Sequence, residues 1–579
     1  MKQTLIKIAI ATLATILLST SASAYTGNNY RSFSGLKEMA EITADDIDQS
    51  TSLFVSPSGD DSNSGSIDAP LKTINKAIAN AKCDYTIYLR AGTYNENVII
   101  DKGHLTLRNY PGETATITGV GLDITTLANI IIRPNLTNIS IYGLHIQDRQ
   151  EQDIEAAYGI IAYGGSRNLI IQNNEFQNIN GNPAHKWDVH GYNAGAIDIF
   201  GDQTNPVQNV LIAGNKIHDM DCGKSEAIIV SGYVNKVDII ENEINDIFNI
   251  GIDVAGHYGA NSDASKDYAR YVYVAGNKVT NARSDIADNG GIYVDGAKGV
   301  LVERNFVTGC PFGISVGQEN DVADTNLHTE DIIVSSNYIT NSVKGGIRIG
   351  TAQRLSSSVL NSLIINNTIL QPNTALSGAL IIGKSHDNMI QNNVIHDFGT
   401  WNNLIFTDDG STPAEIYNVI LKNNYLYSNN RAGFGSGYFF IAGTQYTESA
   451  FEALDYTINN YLRNPATFSA NYTSDYFTGK GADHTFRSVL RDYEGFLGTE
   501  TADLGYIFTN RKTDTEEDLA KLTDVFPFNK NYIIDGASTG IVDPCAVETP
   551  VTLDDIINYI AILGASFAAV LFIKKLSRR

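Results

Sequence analysis

Little in this chain is basic, sulfur-bearing or rich in proline. Its 579 residues hold 41 Lys and Arg against 64 Asp and Glu, a net charge of −23. So acidic a surface drives no counter-ion release from nucleic acid, which excludes a general nucleic-acid binder. Any other polyanion would need a local basic patch or a bridging cation. Charged residues make up only 18% and apolar residues 43%, so a large core can form. Thirteen prolines against fifty glycines exclude a Pro-rich tract and leave many turns. The four cysteines, Cys83, Cys222, Cys310 and Cys545, are too far apart for a disulfide scaffold or a zinc site. They read as isolated buried thiols. No Gly-rich phosphate loop, Ser–His–Asp order or His/Cys metal spacing occurs.

Both ends carry targeting signals. Lys2 and Lys7 flank the start of an apolar stretch through Leu18, and Ala22-Ser23-Ala24 supplies small residues for cleavage after Ala24. At the other end Ile556 to Ile573 is an apolar run at the short limit for spanning a bilayer. Lys574, Lys575, Arg578 and Arg579 follow, a basic tail expected on the cytoplasmic side. Just before this run, Thr549-Pro550-Val551-Thr552 resembles the cell-wall sorting signals cut by sortases. Thr549 and Leu553 depart from that pattern's usual first and last residues. A sortase substrate processed at Thr552 and a plain membrane anchor both remain open.

Internal repetition dominates the middle. A short hydrophobic run ending in Asn recurs at Asn174, Asn215, Asn242, Asn277, Asn305, Asn337, Asn367, Asn393 and Asn424. Between these lie runs such as AIDIFGD at Ala196, GIDVAGH at Gly251, GIYVDGA at Gly291 and GIRIGTA at Gly346. Their second and fourth positions are aliphatic while the third and fifth vary, the period-two signature of strands with one buried face. Two short strands per repeat, turn residues between them and no helical period predict an all-β chain, a right-handed single-stranded parallel β-helix. Coils stack at about 4.8 Å, so one Asn per coil can bond to the Asn above and below. Before the coils, Ala69 to Ala81 carries Leu71, Ile74, Ala77, Ile78 and Ala81 on one helical face, a cap helix for the open end of the stack.

Phe54-Val55-Ser56-Pro57-Ser58-Gly59-Asp60-Asp61, Ala69-Pro70, Ala77-Ile78, Thr86-Ile87-Tyr88-Leu89 and Gly92-Thr93-Tyr94-Asn95-Glu96 resemble the N-terminal part of bacterial pectate-lyase-like β-helix proteins. Arg491-Asp492-Tyr493-Glu494-Gly495 and Asp503-Leu504-Gly505-Tyr506 resemble that superfamily's closing coil. The resemblance implies the pectin-lyase-like fold and a carbohydrate-active protein. It leaves the chemistry open, since the architecture carries lyases, hydrolases, epimerases and binders. The Asn-Ser-Asp-Asp cluster of β-helical pectate lyases of the ninth polysaccharide-lyase family has no counterpart here.

Position three of each Gly-Ile-type run should point outward. Polar and aromatic residues gather there from Asp198, through Asp253, Tyr293 and Ser315, to Arg348, with Asp295 at position five. Asp202, Tyr233, His257 and Glu319 follow just past the turn. Long inserts at Gln177 to Ala194 and Tyr258 to Tyr271 should wall a groove beside them. Asp253 and Asp295, on neighbouring coils with Cα atoms roughly 8 Å apart, suit acid/base work on a glycosidic bond. His257 and Glu319 are the alternative catalytic residues. Asp198, Tyr233, Tyr293 and Arg348 are expected to bind substrate, and Asp198 with Asp202 could hold calcium. Both Asp253 and Asp295 are expected to face solvent.

These signs predict a monomer that is secreted and held at the cell surface by its C-terminal helix or by sortase, and that cleaves a polysaccharide by elimination or hydrolysis. A non-catalytic glycan binder and a uronan epimerase are the alternatives. The chain divides into a signal peptide (1–24), a leader (25–51), a cap and first coil (52–100), a parallel β-helix (101–510), a connector (511–548) and a sorting signal or anchor (549–579).

Overall fold

A computed structural model describes residues 32–397, apart from 121, 123–126, 151–155, 181–191, 285–289, 321–326, 352–355, 372–377 and 392, together with short strands between 405 and 462. Ala24, Thr552, the run Ile556–Ile573 and the proposed closing coil lie outside the described residues. So do His185, Trp187, Asp188 and His190 of the first insert. The chain forms two compact units. One is Glu38–Asn235 with Val254–Ala269. The other takes residues 32–37, Lys236–Asp253 and the described residues from Arg270 to 462.

The cap lies in the first unit. Its helix, Ile74–Asn80, is shorter than the apolar pattern suggests and buries Ile74, Ala77 and Ile78. Thr73 is the N-cap, its hydroxyl accepting the Lys76 N–H at 3.2 Å. The Glu96 carboxylate accepts the N–H groups of Ile74 (2.7 Å) and Asn75 (3.1 Å), and Asp61 accepts those of Lys72 and Thr73 (both 2.9 Å). Tyr94 donates its hydroxyl to the carbonyls of Val55 and Arg90, both at 2.8 Å. The motif residues of this region therefore tie the cap together by satisfying helix-terminal donors.

Both units are built of right-handed parallel β coils. In the first, Tyr85–Leu89, Leu105–Asn109, Thr137–Tyr142, Arg167–Gln172 and Val207–Ala213 pair successively in parallel. In the second, Arg270–Ala275, Lys298–Glu303 and Thr329–Ser335 do the same. Among the described residues a coil has three strands rather than the two expected. The third follows the ladder Asn, as in Glu175–Asn180 and Lys278–Arg283. It escapes a period-two reading because a residue in the left-handed region kinks it. Asn178, Asp219, Asp246 and Asn281 have φ of 53°, 54°, 54° and 55°. Each kink puts the inward residues three apart: Phe176 and Ile179, Ile217 and Met220, Ile244 and Ile247, Val279 and Ala282. Asn and Asp tolerate that backbone better than most residues.

The Asn column forms as expected. Asn174 donates its amide to Asn215 in the first unit, at 3.1 Å. In the second, Asn242, Asn277, Asn305, Asn337, Asn367, Asn393 and Asn424 link one to the next at 2.9–3.0 Å. From Asn277 on, each of these oxygens also accepts the preceding ladder residue's backbone N–H, as Asn337 does from Asn305 at 3.0 Å. All are at most 1% exposed. Buried amides are tolerated only when so paired.

Part of the stretch read as a leader is docked. Four donors converge on the Asp238 carboxylate: the hydroxyls of Ser32 (2.7 Å) and Ser34 (2.5 Å) and the N–H groups of Phe33 (2.8 Å) and Ser34 (3.2 Å). The Phe33 ring sits 5.8 Å from that of Tyr273. Cys222 and Cys310 are buried free thiols, as expected. Cys83 corrects the sequence reading, since it is disulfide-bonded. No helix among the described residues is long and apolar enough to cross a membrane.

Candidate functional site

The residues singled out from the sequence fall into two groups. Asp198, Asp202, Tyr233 and His257 belong to the first unit; Asp253, Tyr293, Asp295, Glu319 and Arg348 belong to the second.

In the first unit the strands Ala156–Tyr163 and Asn193–Gly201 pair in register, Ile161 beside Asp198 and Tyr163 beside Phe200. Ile160, Ala162, Ile197 and Ile199 are fully buried on the inward face. Alternation puts Ile161 and Asp198 on the opposite face, as the sequence indicates. That face is nevertheless covered. Tyr158, Ile161 and Tyr163 join Ala128, Ile131 and Ala156 in a buried apolar cluster, with Phe200 packed against it. The rings of Tyr163 and Phe200 meet edge to face at 6.3 Å.

Asp198 sits beside this cluster, 6% exposed. Burial pushes its carboxyl up to about 7, and the Asp202 carboxylate adds to the rise. Its Oδ1 meets no hydrogen-bond donor among the described residues. Asp202 differs, accepting the Gly164 N–H at 2.8 Å and the Gln203 amide at 2.9 Å. Burial raises Asp202 as well, while these bonds oppose the rise. One carboxyl is thus primed to keep a proton near neutrality beside a second whose rise is partly offset by hydrogen bonds.

Two further groups here were missed from the sequence. The Tyr158 hydroxyl is pushed well above its ordinary range by burial, then by the charges of Asp198 and Glu226. Glu226 is 7% exposed and accepts the Ser225 hydroxyl at 3.2 Å. Each residue stands directly before the Gly or Ala that opens a strand run, a position the alternation does not score. Gly195 stands between them in the stack. A Cβ there would lie 2.7 Å from the Glu226 carbonyl and 3.4 Å from the Tyr158 ring.

Tyr233 and His257 occupy less open positions than expected. Tyr233 is 6% exposed, and its backbone N–H donates to Gly201 at 2.8 Å. His257 is also 6% exposed, and its ring lies 5.6 Å from that of Tyr268 at the base of the second insert.

In the second unit, Tyr293, Ser315 and Arg348 stack in register, with Asp295 beside Gly317. The expectation that Asp253 and Asp295 face solvent is corrected, since they are 2% and 0% exposed. Parity identifies the face of a strand but not whether that face is covered. Asp295 accepts the Glu319 backbone N–H at 2.8 Å, which ties down the following turn. Tyr293 is the hub. Burial raises its hydroxyl well above the ordinary range, the charges of Asp295, Glu319 and Asp253 raise it further, and Arg348 opposes them. Arg348 is half-buried, its guanidinium 5.6 Å over the Phe312 ring.

Cys83, Asp84 and His104 are the described residues gathered closely enough to share a metal ion, but the Cys83 sulfur is committed to its disulfide and offers no thiolate. Asp198 and Asp202 offer a pair of carboxylates. The uncompensated Oδ1 of Asp198 is the kind of buried oxygen a cation satisfies.

Comparison with known proteins bears on the fold more than the chemistry. Residues 57–99 match a family model described as a protein of unknown function, DUF1565. The chain is 29% identical over 360 residues, 59% of its length, to the uncharacterised protein YwoF of Bacillus subtilis, covering 74% of that protein. It is 36% identical over 129 residues to the pectate lyase PEL9 of Emericella nidulans, covering 20% of this chain and 31% of the lyase. Among solved structures it is similar to a GH136 lacto-N-biosidase from Eubacterium ramulus, with a TM-score of 0.43 and 12% identity over 71% of this chain and 68% of that one.

Proposed function

We propose that this protein is a carbohydrate-active enzyme that cleaves a polysaccharide, with Asp198 as the acid that protonates the departing glycosidic oxygen. The observation that carries this reading is the Asp198 carboxyl, held protonated to about pH 7 in an aromatic setting beside a hydrogen-bonded partner carboxylate. Efficient proton donors have pKa values near the working pH. Phe200, only partly buried against the cluster, provides a flat apolar face of the kind that stacks on sugar rings. Asp202 is the base of the pair, ordering water for hydrolysis or drawing a proton from the sugar for elimination. The 129-residue likeness to a pectate lyase favours elimination.

A second arrangement is favoured by the gathering around Tyr293. Here Asp253 and Asp295 are the acid/base pair, with Glu319 as reserve, and Arg348 and Tyr293 hold the substrate. Asp198→Asn and Asp295→Asn decide between the two. A polysaccharide panel should be read by reducing ends and by absorbance of unsaturated uronates. Reducing ends alone identify a hydrolase and both signals a lyase. Binding with neither signal identifies a non-catalytic glycan binder.

Asp198 and Asp202 would be the protein ligands of a calcium ion, which when bound would neutralise an acidic substrate group. Asp198 cannot then also keep its proton, so calcium held there should inhibit any cleavage that uses Asp198 as the acid, and activation by calcium would move the acid and base to other residues. We also propose export with cleavage after Ala24 and retention at the cell surface, as a monomer, through residues 549–579. Deleting 551–579 should release the protein into the medium, and Thr552→Ala should block attachment only if a sortase acts there.

A further inference from the structure

The cap holds Cys83 on a fixed turn. The Asp84 N–H donates to the His104 carbonyl at 2.9 Å, and the Tyr85 N–H donates to the Lys82 carbonyl at 3.3 Å. Asp84 takes the left-handed backbone, with φ of 61°, and its carboxylate meets Nδ1 of His104 at 2.9 Å. Lys102 donates to the carbonyls of Ala79 at 3.0 Å and Ala81 at 3.3 Å, closing the end of the cap helix just before the turn. Cys83 is partly exposed on this turn, whereas Cys222 and Cys310 are buried free thiols. A sulfur placed here can be reached from outside the coils.

The sequence holds four cysteines, of which Cys222 and Cys310 are free and Cys83 is in a disulfide. Within one chain that leaves Cys545, which lies outside the described residues. We infer that Cys83 and Cys545 form an intrachain disulfide that staples the segment just ahead of Thr549-Pro550-Val551-Thr552 to the cap. Each thiol gives up one proton and one electron as the S–S bond forms. A dithiol–disulfide oxidoreductase takes both electrons and both protons, its own disulfide becoming two thiols. Cys222 and Cys310 stay out of the exchange because no attacking sulfur reaches them. The consequence for the cell rests on the proposed retention through residues 549–579. A chain nicked in the connector then stays at the surface, because the staple bypasses the nick.

The test uses the full chain, purified and equilibrated with an oxidised and reduced glutathione pair. Alkylation with iodoacetamide in denaturant should label two thiols without prior reduction, Cys222 and Cys310, and all four after it. An unreduced digest should contain one species joining the Cys83 and Cys545 peptides, which reductant separates. Cys83→Ser and Cys545→Ser should each raise the unreduced label to three. A sequence-specific protease site inserted after Gly540 gives a second readout. The cut chain should run as one piece without reductant and as two with it. Four labelled thiols before reduction overturn the staple, as does a Cys83 peptide joined to Cys222, to Cys310 or to a second copy of the chain. So does a cut chain that falls apart unreduced. None of these outcomes depends on where the protein resides. If the staple is found while deletion of 551–579 leaves surface attachment unchanged, the retention reading fails and the disulfide stands.

Discussion

Two sets of buried polar side chains run along these coils, one inside and one outside, and burial alone does not tell them apart. Asn305 is 0% exposed and Asp198 is 6% exposed. The difference is in wiring. Asn305 receives and gives: its amide reaches Asn337 at 2.9 Å and the Val274 carbonyl at 3.0 Å, and its oxygen accepts from Asn277. Asp198 has an oxygen that meets no donor among the described residues and a neighbouring carboxylate that repels it. An interior group with every valence met contributes to stability. One held without compensation costs stability and is reactive for the same reason.

The strongest way to break that comparison is to neutralise Asp198. Asp198→Asn should lower polysaccharide turnover by roughly 10²–10⁴-fold, the usual contribution of a positioned acid. Steady-state kinetics on whichever polysaccharide the wild type cleaves is the measurement, and unchanged turnover removes Asp198 from the chemistry. Asn305→Leu should do the opposite, costing about 1–3 kcal/mol of stability in denaturant melts with little change in mechanism. Asp295→Ala is the intermediate case. It removes the acceptor of the Glu319 N–H and should cost about 1–3 kcal/mol.

The pH dependence sharpens the contrast further. Folded Asp198 keeps its proton up to about 7, above the unfolded value near 3.9. Between those values the native state binds more protons than the unfolded state. Its contribution to stability therefore falls as pH rises through this window and levels off above it. Asp198→Asn should flatten that slope and melt higher than wild type at pH 8, whereas Asn305→Leu should melt lower at every pH. The smallest effect is expected at the surface. Lys278 pairs with Glu243 at 2.7 Å with both side chains about half exposed, so Lys278→Ala should change stability by roughly 0.2–1 kcal/mol and less in high salt.

Much of the architecture was legible in the residues. The recurring Asn, the aliphatic alternation and the cap motif each report local rules that hold whatever surrounds them. The third strand was not, because the left-handed kinks at Asn178 and Asn281 change its inward spacing from two to three. At the candidate site, alternation assigns Asp198, Asp253 and Tyr293 to the face opposite the neighbouring aliphatic residues. It could not show that this face is covered, since cover comes from elsewhere in the chain. The distinction between Asp198 and its fellow acids was beyond reach for the same reason. It depends on which carboxylate finds donors, and those come from Gly164, Gln203 and Glu319.

The docking of Ser32, Phe33 and Ser34 on Asp238 has a consequence for how the chain assembles. The partners are 204–206 residues apart in sequence. A ribosome making about 5–20 residues per second delivers Asp238 some tens of seconds after Ser32. Stacked coils can zip up locally as they emerge, each on its predecessor. The first described residues cannot, and must wait for a carboxylate made long after them. The Ser32–Ser34 segment is therefore among the last of the described residues to settle, and its settling signals that the coil carrying Asp238 is in place.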